Sequence, residues 1–196
     1  MSAAGSGAAP RGATEPSLPD KVIAIHERLS AAKVPHAIGG ALALAYYAEP
    51  RATVDVDVNV FVPTERWPDV RQALSPLGVD VEVDEAALER DGQVRLWWGR
   101  TPVDLFFSYD ELHRQMRRET RRVPFAETTI PILSPEHLAV CKAMFDRSKD
   151  WLDIEQILVG TDPLDLTEIE SWLDRMTGSG DPRLAKLAEI KNRLAL

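Results

Sequence analysis

At 196 residues the chain is long enough to bury one hydrophobic core, or two small lobes sharing an interface. A formal net charge of −8 excludes binding of nucleic acid or an anionic membrane by bulk charge, so any polyanion must meet a local basic patch. One cysteine excludes a disulfide framework and suits a reducing compartment; within Leu138-Ala139-Val140-Cys141 it reads as core packing.

Residues 1–18 are Ala-, Gly-, Ser- and Pro-rich and read as a disordered tail without the apolar centre of a secretory signal. Nothing later reaches the roughly 20 apolar residues that span a bilayer, so the expected setting is the cytoplasm, with no membrane partner. Beyond the tail, residues 19–133 are expected to form the core and 134–196 a helical region. Apolar residues at Val22, Ile23, Ile25, Leu29 and Ala32 predict a first helix from Asp20 to Lys33. Val34 to Ile38 then reads as a short strand delivering the chain to Gly39-Gly40, with an Ala-rich helix from Ala41 to Ala48 ended by Glu49-Pro50. Such a turn lets backbone N–H groups face a phosphate, although a Gly-Gly pair also fits a plain strand-to-helix connection.

Thr53 to Val62 is expected to be a strand. Side chains alternate along it, so Asp55 and Asp57 share a face while Val54, Val56, Val58 and Val60 occupy the other. Two carboxylates about 7 Å apart repel each other, a cost that a bridging divalent cation removes. The bland reading is an edge strand with one wet, acidic face. A third acid tilts the balance: Asp104 stands alone inside Val103-Asp104-Leu105-Phe106-Phe107, where an unpaired charge is expensive. Hard oxygen ligands without His or Cys favour Mg²⁺ or Mn²⁺, and Mg²⁺ on a few carboxylates commonly carries nucleotide phosphates.

A helix is expected from Arg66 to Leu77 with Gly78 as its C-cap, followed by a half-exposed strand over Val79 to Asp84. Gln93–Trp98 and Thr101–Phe107 flank Gly99-Arg100, which predicts a two-residue hairpin of type II′. Counting back from that turn sets Arg95 opposite Asp104. Arg95 and Trp97 would then share the carboxylate's face, where a guanidinium meets phosphate and an indole stacks on a base.

The segment after Tyr109 is expected to be a polar helix carrying Arg114, Arg117, Arg118, Arg121 and Arg122 along one stripe. That stripe fits either a solvated face matching the helix dipole or a groove for a polyanion or for the phosphates of a nucleotide. After a short strand over Thr129 to Leu133, Ser134-Pro135-Glu136 opens a helix read on through Ile154. If that helix is continuous, Lys142, Asp146, Asp150 and Asp153 stack on one face, as a structural ion pair or with Lys142 free to reach phosphate. Residues 163–196 give one or two amphipathic helices broken near Gly178 to Pro182.

Taken together, Gly39-Gly40, Arg51-x-Thr53-x-Asp55-x-Asp57, Val103-Asp104-Leu105 and Ser134-Pro135-Glu136 through Lys142 to Lys149-Asp150-x-x-Asp153 resemble the minimal nucleotidyltransferase superfamily, and within it the AbiEii branch that includes the MenT toxins. The resemblance covers about His36 to Leu158. It implies an α/β (α+β) nucleotidyltransferase fold: a small mixed β-sheet flanked by helices, with a helical C-terminal region that contributes to the active site. It further implies an NTP substrate and Mg²⁺ or Mn²⁺ held by Asp55, Asp57 and Asp104, the last also activating an acceptor hydroxyl. Gly39, Gly40, Thr53 and Lys142 would contact the nucleotide, and Asp150 or Asp153 would be the late aspartate, with Asp150 preferred. One departure stands out: Ala41 replaces the Ser or Thr that commonly follows the glycine turn.

The expected reaction is in-line attack of an acceptor hydroxyl on the α-phosphate, releasing pyrophosphate. The 3′ end of tRNA is the leading acceptor, drawing on Arg95 and the arginine stripe, and the resemblance adds a cognate antitoxin as a partner. A small cationic substrate such as an aminoglycoside is second and a protein acceptor third. From another class, a non-catalytic nucleotide-binding module is the competing reading.

Overall fold

A computed structural model describes residues 15–196. Most of the predicted tail therefore lies outside the described residues. The part within reach is ordered into the fold: Ser17 caps α1 (Leu18–Ala31) in a reciprocal capping box with Asp20, and Pro19 occupies the first turn. Helix α1 thus starts two residues earlier than Asp20 and buries Val22, Ile25 and Leu29 completely. Lys21, only 1% exposed, is tied to Glu15 at 2.5 Å and to Trp98 O and Thr101 Oγ1 at 2.9 Å, which pins α1 to the hairpin described below.

Six strands form one mixed sheet: β1 (His36–Ile38), β2 (Val56–Val60), β3 (Gln93–Trp98), β4 (Thr101–Phe107), β5 (Arg121–Phe125) and β6 (Thr128–Ile132), in the order β3-β4-β2-β1-β6-β5. The pairs β2–β4 and β1–β6 run parallel, and the rest run antiparallel. The β3–β4 hairpin has the register read from the sequence, Trp98 opposite Thr101 and Arg95 opposite Asp104, around Gly99 at φ 60°. Val56, Val58, Val60, Val103, Leu105 and Phe107 are fully buried in the core, which the helices cover.

Helix α2 (Gly40–Leu44) is a single turn, shorter than the alanine run implied, so its dipole is small. Helix α3 (Trp67–Leu74) is flanked by 3₁₀ turns, and Gly78 at φ 77° ends that segment as expected. The strand expected over Val79 to Asp84 is absent apart from one bridge between Asp80 and Trp97; Asp84 instead caps α4 (Glu85–Asp91). Its alternating acids lie in a loop that touches the edge strand β3 only at that bridge.

Two corrections matter for function. The arginine stripe is not one helix. Helix α5 (Glu111–Arg118) stops at Arg118, and Arg121 and Arg122 lie in β5, where neighbouring side chains point to opposite faces. Nor is the late helix continuous. Helix α6 (Pro135–Phe145) ends at Asp146, a non-glycine residue at φ 53°, and α7 (Ser148–Gly160) begins anew after Arg147. Helices α8 (Leu166–Thr177) and α9 (Pro182–Leu194) follow, broken at Gly178 to Asp181. Among the described residues no helix is long and apolar enough to cross a membrane.

Candidate active site

Pairing of β2 with β4 sets Asp57 directly beside Asp104, and pairing of β4 with β3 sets Asp104 beside Arg95. One row of side chains therefore crosses three strands, Arg95-Asp104-Asp57, and the glycine turn continues it: Gly39 N donates to Asp57 O at 2.9 Å. Gly40 takes φ 55°, and a Cβ there would stand 1.7 Å from Asp57 Oδ2. Only glycine brings the backbone so close to that carboxylate. Asp55 sits just ahead of β2, its backbone N–H donating to Thr53 Oγ1 at 3.2 Å, and Asp55, Thr53 and Gly40 line the same cavity of about 560 Å³ as Asp57 and Asp104.

Electrostatics single out Asp57. Burial, then the like charges of Asp104 and Asp55, push its carboxyl up to about 6, against the opposing pull of Lys142 and Arg147. Asp55 and Asp57 form no ion pair among the described residues. Asp104 does: Arg95 grips it through two bonds of 2.7 Å. The three aspartates line one cavity without their oxygens all coming within 4.8 Å of one another. Among the described residues, only Glu119, His137 and Glu168 bring three possible ligand atoms within 4.8 Å of one another.

The other side of the cavity comes from α6 and α7. Lys142 is buried, its Nζ 2.6 Å from Asp153 Oδ2, and Arg51 reaches the same carboxylate at 2.9 and 3.1 Å. Burial alone would raise the Asp153 carboxyl, yet the hydrogen bonds from Arg51 and Lys142 win and hold it below the usual carboxylate range. Asp150, also buried, accepts from Arg147 at 2.6 and 3.1 Å and from the Arg147 backbone N–H at 3.3 Å, closing the cap of α7. The break at Asp146 thus replaces the expected single face with two ion-paired groups. Asp146 itself turns to Trp151 Nε1. Asp150 lines the cavity, and Asp153 lies beneath it as the anchor of Lys142.

Arg51, Arg147 and Lys149 also line the cavity. Arg51 and Lys149 belong to the motifs that carry the resemblance, and the sequence alone assigns them no role. The far end is apolar, with Leu112, Met116, Met176 and Phe145, whose ring meets Phe106 edge-on at 5.8 Å. Burial pushes the Cys141 thiol up to about 12, consistent with a packing role. Of the predicted arginines, Arg95 lines the cavity, while Arg114, Arg117 and Arg118 are exposed on α5. Arg121 pairs with Glu136 at 3.8 Å and lies over the Tyr47 ring, and Arg122 donates to Thr129 O.

The fold has clear relatives among solved structures. The antibiotic-resistance factor ANT(2'')-Ia, in its solution structure, aligns with a TM-score of 0.58 at 16% identity over 89% of this chain and 97% of its own. The lincosamide antibiotic adenylyltransferase LnuA, bound to lincomycin, aligns with a TM-score of 0.53 at 14% identity over 72% of this chain and 97% of its own. Likeness at that identity establishes a shared fold. No curated protein sequence matches the chain. The family model "Nucleotidyl transferase AbiEii toxin, Type IV TA system" matches residues 37–195, so the chain belongs to that family of nucleotidyltransferases.

Proposed function

We propose that the enzyme moves a nucleoside monophosphate from an NTP to the 3′-terminal hydroxyl of tRNA in a Mg²⁺- or Mn²⁺-dependent reaction, as the toxin of a cytoplasmic toxin–antitoxin pair. The observation that carries this reading is the single cavity that gathers Asp55, Asp57 and Asp104 with Lys142, Arg147 and Lys149. The carboxylates fit a hard divalent cation: Asp57 is half-buried beside like charges and pushed up to about 6, a cost that a bound dication would remove. Asp55 and Asp57 would hold the ion, with Asp104 joining them. When bound, it would supply Lewis-acid polarisation of the phosphate.

The chain's own groups do the rest. Gly39 and Gly40 let the backbone close on Asp57 at the cavity wall, Thr53 fixes the entry to Asp55, and Arg147, Lys149 and Lys142 supply positive charge for the triphosphate. Lys142 is held in place by Asp153, and Arg147 by Asp150. Asp104 accepts the proton of the acceptor hydroxyl as the new O–P bond forms, the bond from the α-phosphorus to its bridging oxygen breaks, and pyrophosphate leaves. For that, Asp104 must part from Arg95, and a phosphate is the kind of group that competes for a guanidinium. The apolar end with Phe145 and Phe106 suits a base. Arg114, Arg117 and Arg118 give the acidic molecule a local basic surface for RNA.

A small cationic acceptor is the second reading, favoured by the carboxylate-lined cavity and the net charge of −8. Incubation of the purified protein with Mg²⁺, each labelled NTP and total RNA tests the proposal. Label is expected in tRNA and is expected to vanish in the Asp55→Ala/Asp57→Ala variant. Label only on an added aminoglycoside or on the protein itself would redirect the acceptor, and no label on any of them would refute transfer by this site.

A further inference from the structure

Behind the apolar end of the cavity, three helices bring their ends together. Glu119 immediately follows α5, while His137 and Glu168 lie in the first turns of α6 and α8. One ligand atom from each lies within 4.8 Å of the others. The His137 ring is fully buried, and its Nε2 is buried without a hydrogen-bond partner, 3.6 Å from Glu168 Oε1. A buried polar nitrogen left unpaired is costly, and here it faces a carboxylate.

The other side of the ring offers Nδ1 a partner. His137 Nδ1 stands 2.8 Å from Ser134 Oγ, which also accepts the His137 backbone N–H at 3.3 Å. With Nδ1–H donated to that oxygen, the lone pair belongs to Nε2. This is how metal-binding imidazoles are oriented, one nitrogen fixed by a hydrogen bond and the other open. Burial holds the ring below its ordinary pKa, so it carries no positive charge to offset its neighbours. Glu119 Oε2 lies 3.7 Å from Nδ1, and its Oε1 accepts from Gln115 Nε2. Burial, then Glu119, raises the Glu168 carboxyl. Arg121 is turned to Glu136, whose Oε1 also accepts from Asp165 N, and Arg175 lies over the Trp172 ring and pairs with Glu111.

We propose that Glu119, His137 and Glu168 form a site for a Zn²⁺-like divalent metal, separate from the active-site aspartates, that ties α5, α6 and α8 together. One imidazole nitrogen and two carboxylates are a donor set for zinc rather than for Mg²⁺. Donors about 2 Å from a tetrahedral ion stand about 3.3 Å apart, close to the 3.6 Å between Nε2 and Glu168. Glu119 and Glu168 are 37% and 24% exposed, which leaves a way in and a position for water. The same three helices supply Met116, Leu138 and Met176 to the cavity wall, so the ion would stiffen the apolar end without touching the reacting groups.

The full chain, made without a histidine tag and stripped with chelator, is titrated with Co²⁺ as a visible probe and then with Zn²⁺. The site predicts d–d absorption saturating at about one Co²⁺ per chain, displacement by Zn²⁺, and a rise in Tm of about 5–10 °C at a hundredfold excess over Kd. Glu119→Gln/Glu168→Gln keeps the packing and avoids disturbing the buried ring; it should weaken binding by about 100-fold or more and abolish the bands. Asp55→Asn/Asp57→Asn should retain both signals. Absence of the bands in the native chain, their survival in the Glu119/Glu168 variant, or their loss in the Asp55/Asp57 variant would each overturn the site.

Discussion

The two sides of the active-site cavity treat charge differently. On the side of α6 and α7 the acids are matched, Lys142 and Arg51 sharing Asp153 and Arg147 closing on Asp150, and only Lys149 has no ion-pair partner among the described residues. On the sheet side Asp104 alone of the three aspartates has an ion-pair partner among the described residues, while Asp57 is half-buried beside two like charges. Folding therefore settles one side and leaves the other costly. A chain selected only for stability would not keep Asp57, so its cost marks where a ligand's positive charge belongs.

Asp57→Asn breaks this contrast most sharply. Transfer should fall by about 10³-fold or more, since positioning and charge neutralisation at the phosphate carry such reactions. Stability should move the other way. Lifting a carboxyl from 3.8 to about 6 costs on the order of 3 kcal/mol at neutral pH, so the variant should be more resistant to urea by up to that amount in EDTA. Equal loss of activity and stability would place Asp57 in the scaffold instead.

Lys142→Met probes the settled side and should give the opposite signature. Removing one partner leaves Asp153 buried with Arg51 alone, a loss of about 3 kcal/mol by urea unfolding. Lys142→Met/Asp153→Leu should recover part of it, because no buried charge is then left stranded: Arg51 also loses Asp153 but is 39% exposed and can be solvated. If the double variant is as unstable as the single one, the pair is not the source of the loss.

The sheet side was the more readable from sequence, for a geometric reason. Alternation along the extended run that enters β2 aims Asp55 and Asp57 at one cavity, and a two-residue turn at Gly99-Arg100 fixes Arg95 beside Asp104 by counting. The helical side depended on breaks that no glycine or proline announces. Asp146 ends α6 in a left-handed conformation, and α5 gives way to β5 between Arg118 and Arg121, in a run whose charges suit a helix C-terminus equally well. Glu119, His137 and Glu168 are far apart in sequence, and only the packing of α5, α6 and α8 brings them together. No local pattern could have paired them.

Acid titration sharpens the contrast further, because the sheet holds a group of opposite sign. Burial drives His36, at the start of β1, down to about 4 from 6.5. Its neutral form is favoured on folding, so that contribution is present above pH 6.5 and is lost as pH falls through about 4. Asp57 is a raised acid: its contribution is full below 3.8 and is lost as pH rises through about 6. Each amounts to about 3 kcal/mol, and between pH 4 and pH 6 they offset each other. Urea melts in EDTA should therefore show Asp57→Asn losing stability as pH falls from 6.5 to 4, and His36→Gln gaining it. Parallel profiles for the two variants would rule out the assigned titrations.

The smallest expected effect concerns the outer rim, where the basic surface survives only in part. Arg114, Arg117 and Arg118 are exposed on α5, whereas Arg121 is engaged by Glu136 and Tyr47. Arg117→Glu/Arg118→Glu should reduce RNA labelling by about tenfold, flatten its dependence on log salt by roughly two, and leave the KM for NTP unchanged. Arg121→Ala should act differently, lowering stability by about 1 kcal/mol or less with little change in the salt slope, because its partner is internal. The pair of variants separates a surface that meets phosphate from a cation that serves the fold. If both leave RNA labelling unaltered across salt, the acceptor does not approach over α5, and the unpaired charge on the sheet side is serving a small substrate.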